Sequence, residues 1–201
     1  MARVSTPEFW DDVYARGGDG WELGAPALPL VDFFATARLD GRHVAVPGSG
    51  RGHDVRFLAS LGYDAVGFDF SAAALAAARA LAEREGSAAR FEARDVFALG
   101  RDLPHAFDGA WEYTCFCAID PARRREYVDS LAGTIRPGGW LLGCFFPLRG
   151  NPAGPPFPVS MEEVRRLLRP AFRIERAFGP PRSARGRQGR EWMLLARRTG
   201  A

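Results

Sequence analysis

The chain contains no lysine: all 27 of its basic residues are arginine. With no lysine there is no GxxxxGKS/T phosphate loop, which argues against a kinase or a P-loop NTPase. Against 24 acidic residues the net charge is only +3, too balanced for a surface built around nucleic acid, so none is expected as a partner. The cluster Arg182, Arg185, Arg187 and Arg190 reads as a solvated loop, with a nucleic-acid contact as its alternative. Cysteine is scarce and odd in number: Cys115, Cys117 and Cys144 stand in apolar, strand-like sequence. The Cys-x-Cys spacing is too short for ordinary disulfide or zinc-finger geometry, so buried free thiols are expected. Histidine is limited to His43, His53 and His105, none within helical reach of another, and no metal site is expected. No apolar run approaches the length of a membrane span, and the opening MARVSTPEFWDD carries no signal-peptide core. A cytoplasmic protein is expected.

What is present alternates. The 201 residues, 47% of them hydrophobic, suffice for one domain with a full core. HVAVPG reads as a first strand, DVRFLASLG as a short amphipathic helix ending at Gly62, and DAVGFDF as a second buried strand. Ser71 then offers an N-cap to SAAALAAARALAEREG, which stops at Gly86. ARFEARD alternates as a third strand, and FDGAWEYTCFC reads as a fourth. PARRREYVDSLAGTI is a helix opened by proline; RPGG forces a turn, WLLGCFFP makes a fifth strand, and MEEVRRLLRPAF a last helix behind Ser160. FRIERAFG and EWMLLARR look like a C-terminal hairpin around the arginine loop. The expected fold is α/β: a Rossmann-like, mostly parallel sheet with that antiparallel hairpin and helices on both faces. Residues 1–40, two helices joined by GGDGWELGAPAL, would cover the site, and residues 41–201 would form the core.

A strand followed by closely spaced glycines and a helix is how open α/β sheets bring backbone against a nucleotide-like ligand. Gly48, Gly50 and Gly52 follow the first strand, although a plain tight turn would use the same residues. Asp69 ends the second strand, where a carboxylate can accept from both ribose hydroxyls; Ser71 already serves as the helix cap. Asp95 ends the third strand and is placed to accept from an adenine amino group, with Val96 covering the ring. The spacing is GxGxG rather than GxGxxG, and Asp54 in the first helical turn would repel a phosphate. A nucleoside cofactor without phosphates fits, and S-adenosylmethionine is one. Trp10, Tyr14 and Trp21 supply π faces that attract a sulfonium, or else staple the N-terminal segment to the core. Tyr113 follows the fourth strand at the same sheet edge.

Taken together, FWDDVYARGGDGWELGAP, VPGSGRGHDVRFLASLGYDAVGFDFS, EYTCFCAIDPARRREYVDSL and GNPAGPPFPVS resemble the thiopurine S-methyltransferase superfamily of class I S-adenosylmethionine-dependent methyltransferases, especially its thiol and halide branch. The resemblance covers most of the chain. It implies cofactor contacts from Trp10, Tyr14, Trp21, Gly48, Gly50, Asp69, Asp95, Val96 and Tyr113, and it places Arg124 where the thiopurine enzymes carry an arginine near their ligands. Read alone within RRR, Arg124 is equally a surface charge. Two departures stand out: Ser49 replaces the cysteine of the usual PGCG turn, and Glu112 stands where a related DY dipeptide often has aspartate.

The expected reaction is transfer of the sulfonium methyl to a small soft nucleophile, a thiol above all, or a halide or thiopurine-like acceptor, leaving S-adenosylhomocysteine. Alignment and desolvation carry most of such a displacement, and a thiolate needs no strong base. Tyr113 and Glu112 are candidates for positioning or proton removal, with Arg124 near the ligands. GNPAGPPFP is either a lid that places Phe157 or a simple connector. O- or N-methylation of a small metabolite stays open as an alternative, as does a non-catalytic cofactor-binding or nucleic-acid-binding protein. Monomer is the default expectation.

Overall fold

The computed structural model describes residues 4, 6–18, 20–149 and 153–200. Seven strands form one sheet in the order β3-β2-β1-β4-β5-β7-β6: β1 His43–Pro47, β2 Asp64–Asp69, β3 Arg90–Ala93, β4 Phe107–Tyr113, β5 Ile135–Phe145, β6 Phe172–Phe178 and β7 Trp192–Arg198. β1 to β5 pair in parallel, while β7 runs antiparallel to both β5 and β6. The central parallel strands β1, β2 and β4 are buried on both faces because each face carries helices, while the edge strand β3 alternates. On one face α2 Leu28–Thr36, α3 His53–Ser60 and α4 Ala72–Arg84 cover a cluster containing Phe34, Leu58, Leu75, Trp111 and Trp140. On the other, α5 Leu99–Asp102, α7 Arg124–Thr134 and α8 Met161–Leu168 cover Phe68, Tyr127, Leu131, Ile135 and Leu141. The chain order reverses between β1 and β4, so a crevice opens at their carboxyl ends.

Local signals set most boundaries. The Ser71 side chain accepts from the Ala74 amide to cap α4, and Ser160 accepts from Glu163 to cap α8. A first helix, α1 Pro7–Ala15, begins at its proline and packs against α4. The Ser71 hydroxyl also donates to Asp11 at 2.6 Å, tying the N-terminal segment to the end of β2.

Four local expectations are corrected. The fourth strand stops at Tyr113 instead of running through Cys117; Thr114 turns left-handed at φ +67°, and Cys115–Ala118 form a helical turn, α6. The reason is tertiary: the buried Glu112 carboxylate accepts from the Phe116 amide at 2.7 Å and reverses the chain. RPGG does not precede β5 but lies inside it, looped out between the pairs Phe107↔Ile135 and Gly109↔Trp140. The last helix ends at Leu168, two residues before Pro170: the Arg169 amide still donates to the Arg165 carbonyl, but proline has no N–H with which to continue the ladder. Finally, the arginine loop is exposed over most of its length, but one member departs from that reading: Arg187 is buried, while Arg190 donates to the Arg149 carbonyl at 2.9 Å and the exposed Arg182 pairs with Asp32 on α2. The three cysteines are free and buried as expected, with Cys115 and Cys117 on the helical turn rather than a strand.

Gly109 illustrates how tightly the sheet packs. A Cβ there would lie 2.1 Å from the ring of Trp140, and that ring is pinned by its Nε1 donating to the Asp40 carbonyl at 2.9 Å. Gly109→Ala should therefore lower stability by about 2 kcal/mol, the scale of a core overpacked around a fixed side chain. Denaturant unfolding measures it; a loss below about 0.5 kcal/mol would mean that the indole moves aside freely.

Candidate functional site

The crevice is a cavity of about 550 Å³ at the carboxyl ends of the parallel strands. Trp10, Tyr14, Trp21, Gly48, Gly50, Asp69, Asp95, Val96 and Tyr113 all line it. Glu112 and Arg124 do not appear on its walls.

At its base lies the glycine turn, with Gly48, Gly50 and Gly52 at φ +59°, +52° and +70°. All three need the left-handed region, but the missing side chains serve different ends. A Cβ on Gly48 would sit 2.8 Å from the Cys115 sulfur, and one on Gly52 2.3 Å from the Phe91 ring. Only at Gly50 does the nearest atom, the Tyr14 hydroxyl at 3.1 Å, belong to a cavity aromatic. The Gly50 amide donates to Asp69 Oδ2 at 2.9 Å, while Asp69 Oδ1 accepts from Ser71 N–H at 3.0 Å. Burial pushes the Asp69 carboxyl above its ordinary range, and those amides oppose the shift. With about four lone-pair positions, the carboxylate keeps acceptor capacity for a ligand.

The N-terminal segment closes the opposite side. Trp21 meets Trp10 edge-to-face at 5.5 Å and Tyr14 at 5.8 Å, so the three rings form one cluster as well as a cavity wall. The same rings thus staple the segment and face the cavity. Two joints hold the segment down. Asp54 accepts from the Ala27 amide through one oxygen and from Trp111 Nε1 through the other, both at 2.7 Å. Glu22 accepts from the Gly24 amide at 2.7 Å and from His53 Nε2 at 2.8 Å. Because His53 Nδ1 faces the guanidinium of Arg56 at 2.8 Å, and arginine only donates, the proton belongs on Nε2. Burial works against the Glu22 charge, yet His53 and Gly24 hold its carboxyl below the usual range.

The third wall follows β4. Tyr113 donates its hydroxyl proton to Glu191 at 2.6 Å and accepts from Arg187 at 2.6 Å. Arg187 also donates to the Trp21 carbonyl at 2.8 Å and lies 4.9 Å from the Phe146 ring centre. It is only 6% exposed, and among the described residues no carboxylate lies within ion-pair distance of it. Burial lifts the Tyr113 phenol well above its ordinary range, outweighing Arg187, which pulls the other way. Tyr113 is therefore poorly suited to remove a proton: its own is committed to Glu191 and its lone pair to an arginine. Pro155 and Pro156 complete the rim, and the Phe157 amide donates to the Cys117 carbonyl at 2.7 Å. Of the sequence-read lid GNPAGPPFP, residues 150–152 lie outside the described residues.

Arg124 is neither a surface charge nor a cavity residue. It is 2% exposed and bridges α7 to the start of α8, donating to Glu163 at 2.7 Å and to the Pro158 carbonyl at 3.1 Å. The side chains that sequence reasoning missed, Arg187, Glu191, Glu22 and His53, carried no local signal. Arg187 and Glu191 come from the hairpin end farthest in sequence from the glycine turn, within a cluster whose composition read as solvent-facing. Among the described residues no three metal-ligating side chains converge, and no helix is long and apolar enough to cross a membrane.

A parallel sheet with an antiparallel β7-β6 edge, a glycine turn after β1 and carboxylates after β2 and β3 define a class I S-adenosylmethionine-dependent methyltransferase. The family model of thiopurine S-methyltransferase matches residues 5–189, and the chain belongs to that family. Among its relatives are the probable thiol methyltransferase 2 of Arabidopsis thaliana, 30% identical over 163 residues (80% of this chain, 71% of that one), and thiocyanate methyltransferase 1 of the same plant, 30% identical over 188 residues (90% and 81%). The crystal structure of Burkholderia thailandensis 1,6-didemethyltoxoflavin-N1-methyltransferase with S-adenosylhomocysteine shares the fold, with a TM-score of 0.67 at 22% identity over 96% of this chain and 87% of that one. The protein is an S-adenosylmethionine-dependent methyltransferase. The donor set suits that cofactor: carboxylates and backbone amides beside a cluster of aromatic faces, with Asp54 in the first helical turn where a phosphate would otherwise rest.

Proposed function

We propose that the protein methylates a small, soft, anionic acceptor, a thiolate above all, and also halide or pseudohalide. The observation that carries this reading is Arg187, a nearly buried guanidinium on the cavity wall, fixed by Tyr113 and the Trp21 carbonyl. A desolvated cation attracts an anion and favours the ionised form of a thiol, which at pKa near 8.5 is already a few per cent thiolate at neutral pH. Tyr113 cannot easily serve as a base, so the acceptor must arrive ionised or ionise in the field of Arg187. That requirement suits thiolates and halides and disfavours alcohols. Bound S-adenosylmethionine supplies an electrophilic methyl group.

In this reading Asp69 holds the ribose hydroxyls, Asp95 and Val96 the adenine, and the backbone at Gly48 and Gly50 the methionyl part. Trp10, Tyr14 and Trp21 surround the sulfonium and exclude water. Residues 1–40 are the cover and 41–201 the core. The test is turnover with iodide, thiocyanate, hydrosulfide, an alkyl thiol and a heteroaromatic thiol, against a phenol and an amine, with products identified by mass spectrometry. Methylated sulfur or halide products are expected. Methylation confined to the phenol or the amine, or no product from any anion, would overturn the assignment of acceptor.

A further inference from the structure

Glu112 lies one residue behind Tyr113 and points to the opposite face of β4, away from the cavity. It is 1% exposed. Its Oε1 accepts from the Phe116 amide at 2.7 Å, and the Cys115 amide also turns towards it. Its Oε2 has no hydrogen-bond partner among the described residues. The groups facing it are Arg124 and Tyr127 from α7, Cys115 and Cys117 from α6, and Cys144 from β5. Arg124 is the one permanent charge among them, and it is drawn away by Glu163 and the Pro158 carbonyl.

Between Glu112 and the amides it holds is Thr114, a β-branched residue at φ +67°. A left-handed threonine persists only where its surroundings over-determine it. The constraint here is the Glu112 carboxylate, which closes the turn from behind. What the turn carries is one whole wall of the cavity: Tyr113, Thr114, Cys115, Cys117, Ala118 and Ile119. The same segment packs the Cys115 sulfur under Gly48 and receives the Phe157 amide on the Cys117 carbonyl. One carboxylate thus sets three parts of the site without touching any ligand.

We infer that Glu112 is a positioning residue whose negative charge clamps the strained turn at Thr114, so that ionising this carboxyl tightens the cofactor cavity and raises the rate of methyl transfer. A charge-assisted hydrogen bond to the Phe116 amide is stronger than one to a neutral acid, which gives the ionised form its grip. Burial pushes the Glu112 carboxyl up to about 7, so both forms exist near neutrality. The sign for stability is opposite to that for activity. A carboxyl whose folded pKa is raised binds its proton more tightly in the folded state, so its contribution to stability is full below its ordinary range and lost as pH rises through about 7. Activity should climb over the window in which this contribution falls, and a merely structural glutamate would not separate the two.

The inference rests on the acceptor reading only for the choice of assay. Affinity for S-adenosylhomocysteine is followed by calorimetry from pH 5.5 to 8.5, kcat/KM for iodide over the same range, and Tm alongside, in wild type, Glu112→Gln and Thr114→Gly. Iodide does not titrate, so its turnover reports the protein. In wild type, affinity and turnover should rise by about tenfold across the range, the scale of one lost charge-assisted bond. Glu112→Gln should be flat near the low-pH level, and its Tm should gain on the wild type as pH rises. Thr114→Gly removes the strain, so its pH dependence should shrink to less than half. A Glu112→Gln curve parallel to wild type, or a flat wild type, overturns the inference. Should Glu112→Gln fail to fold, an undiminished pH dependence in Thr114→Gly overturns it instead. Absence of iodide turnover at every pH alongside pH-dependent S-adenosylhomocysteine binding would strike the acceptor reading alone.

Discussion

Replacing Arg187 with alanine should raise KM for iodide or thiocyanate about a hundredfold while kcat changes by less than about tenfold, a split that follows from where the charge goes. The reaction joins an anion to a sulfonium and yields two neutral products. A cation beside the nucleophile therefore stabilises the bound anion more than the transition state, in which that anion has already given up charge. A hundredfold corresponds to about 2.7 kcal/mol, the upper range for a hydrogen bond to a charged group. Thiols add a second signature, because without the guanidinium their kcat/KM should rise only as pH approaches the free thiol pKa near 8.5. Lysine will not substitute well, since one ammonium cannot reproduce the fork that reaches both Tyr113 and the Trp21 carbonyl. Initial-rate kinetics over acceptor concentration provide the test. An unchanged KM for every anion would remove Arg187 from the acceptor site and, with it, the observation on which the anionic reading stands.

Replacing Asp69 with alanine should weaken S-adenosylhomocysteine binding by about two orders of magnitude, because two ribose hydroxyls lose a charged acceptor at about 1.5 kcal/mol each. The carboxylate also receives the amides of Gly50 and Ser71, so part of any loss could come from a relaxed glycine turn. A coupling measurement separates the two. Wild type and Asp69→Ala are titrated calorimetrically with S-adenosylhomocysteine and with its 2′-deoxy and 3′-deoxy analogues. If Asp69 holds the ribose, removing a hydroxyl weakens binding to wild type and scarcely affects the variant. Equal losses in both proteins would assign Asp69 to the scaffold and move ribose recognition elsewhere in the cavity.

Much of the cavity wall was legible before any coordinates. Gly48, Gly50, Asp69, Asp95 and Val96 follow three successive strands, and topology alone gathers the carboxyl ends of parallel strands at one edge. Trp10, Tyr14 and Trp21 were legible as a group through their unusual density in a loop-rich segment. The wall that carries Arg187 was not. Arg187 lies beside Tyr113 only because the β6–β7 hairpin folds its loop back over the cavity, and nothing in a run of arginines distinguishes the buried one. Arg124, which motif position brings near the ligands, is turned inside to bridge α7 and α8.

The sequence by itself determined the order of strands and helices, the caps at Ser71 and Ser160, and the glycine turn, because each depends on periodicity or on side-chain chemistry within a few residues. Only the tertiary structure decided where β4 ends, since Glu112 must be buried before its carboxylate can seize the Phe116 amide and bend an apolar, strand-like run into a helical turn. Only the tertiary structure decided, too, which member of the arginine cluster is buried in the cavity wall. Burial and long-range hydrogen bonds set charge and backbone strain at this site, and neither is a property of neighbouring letters.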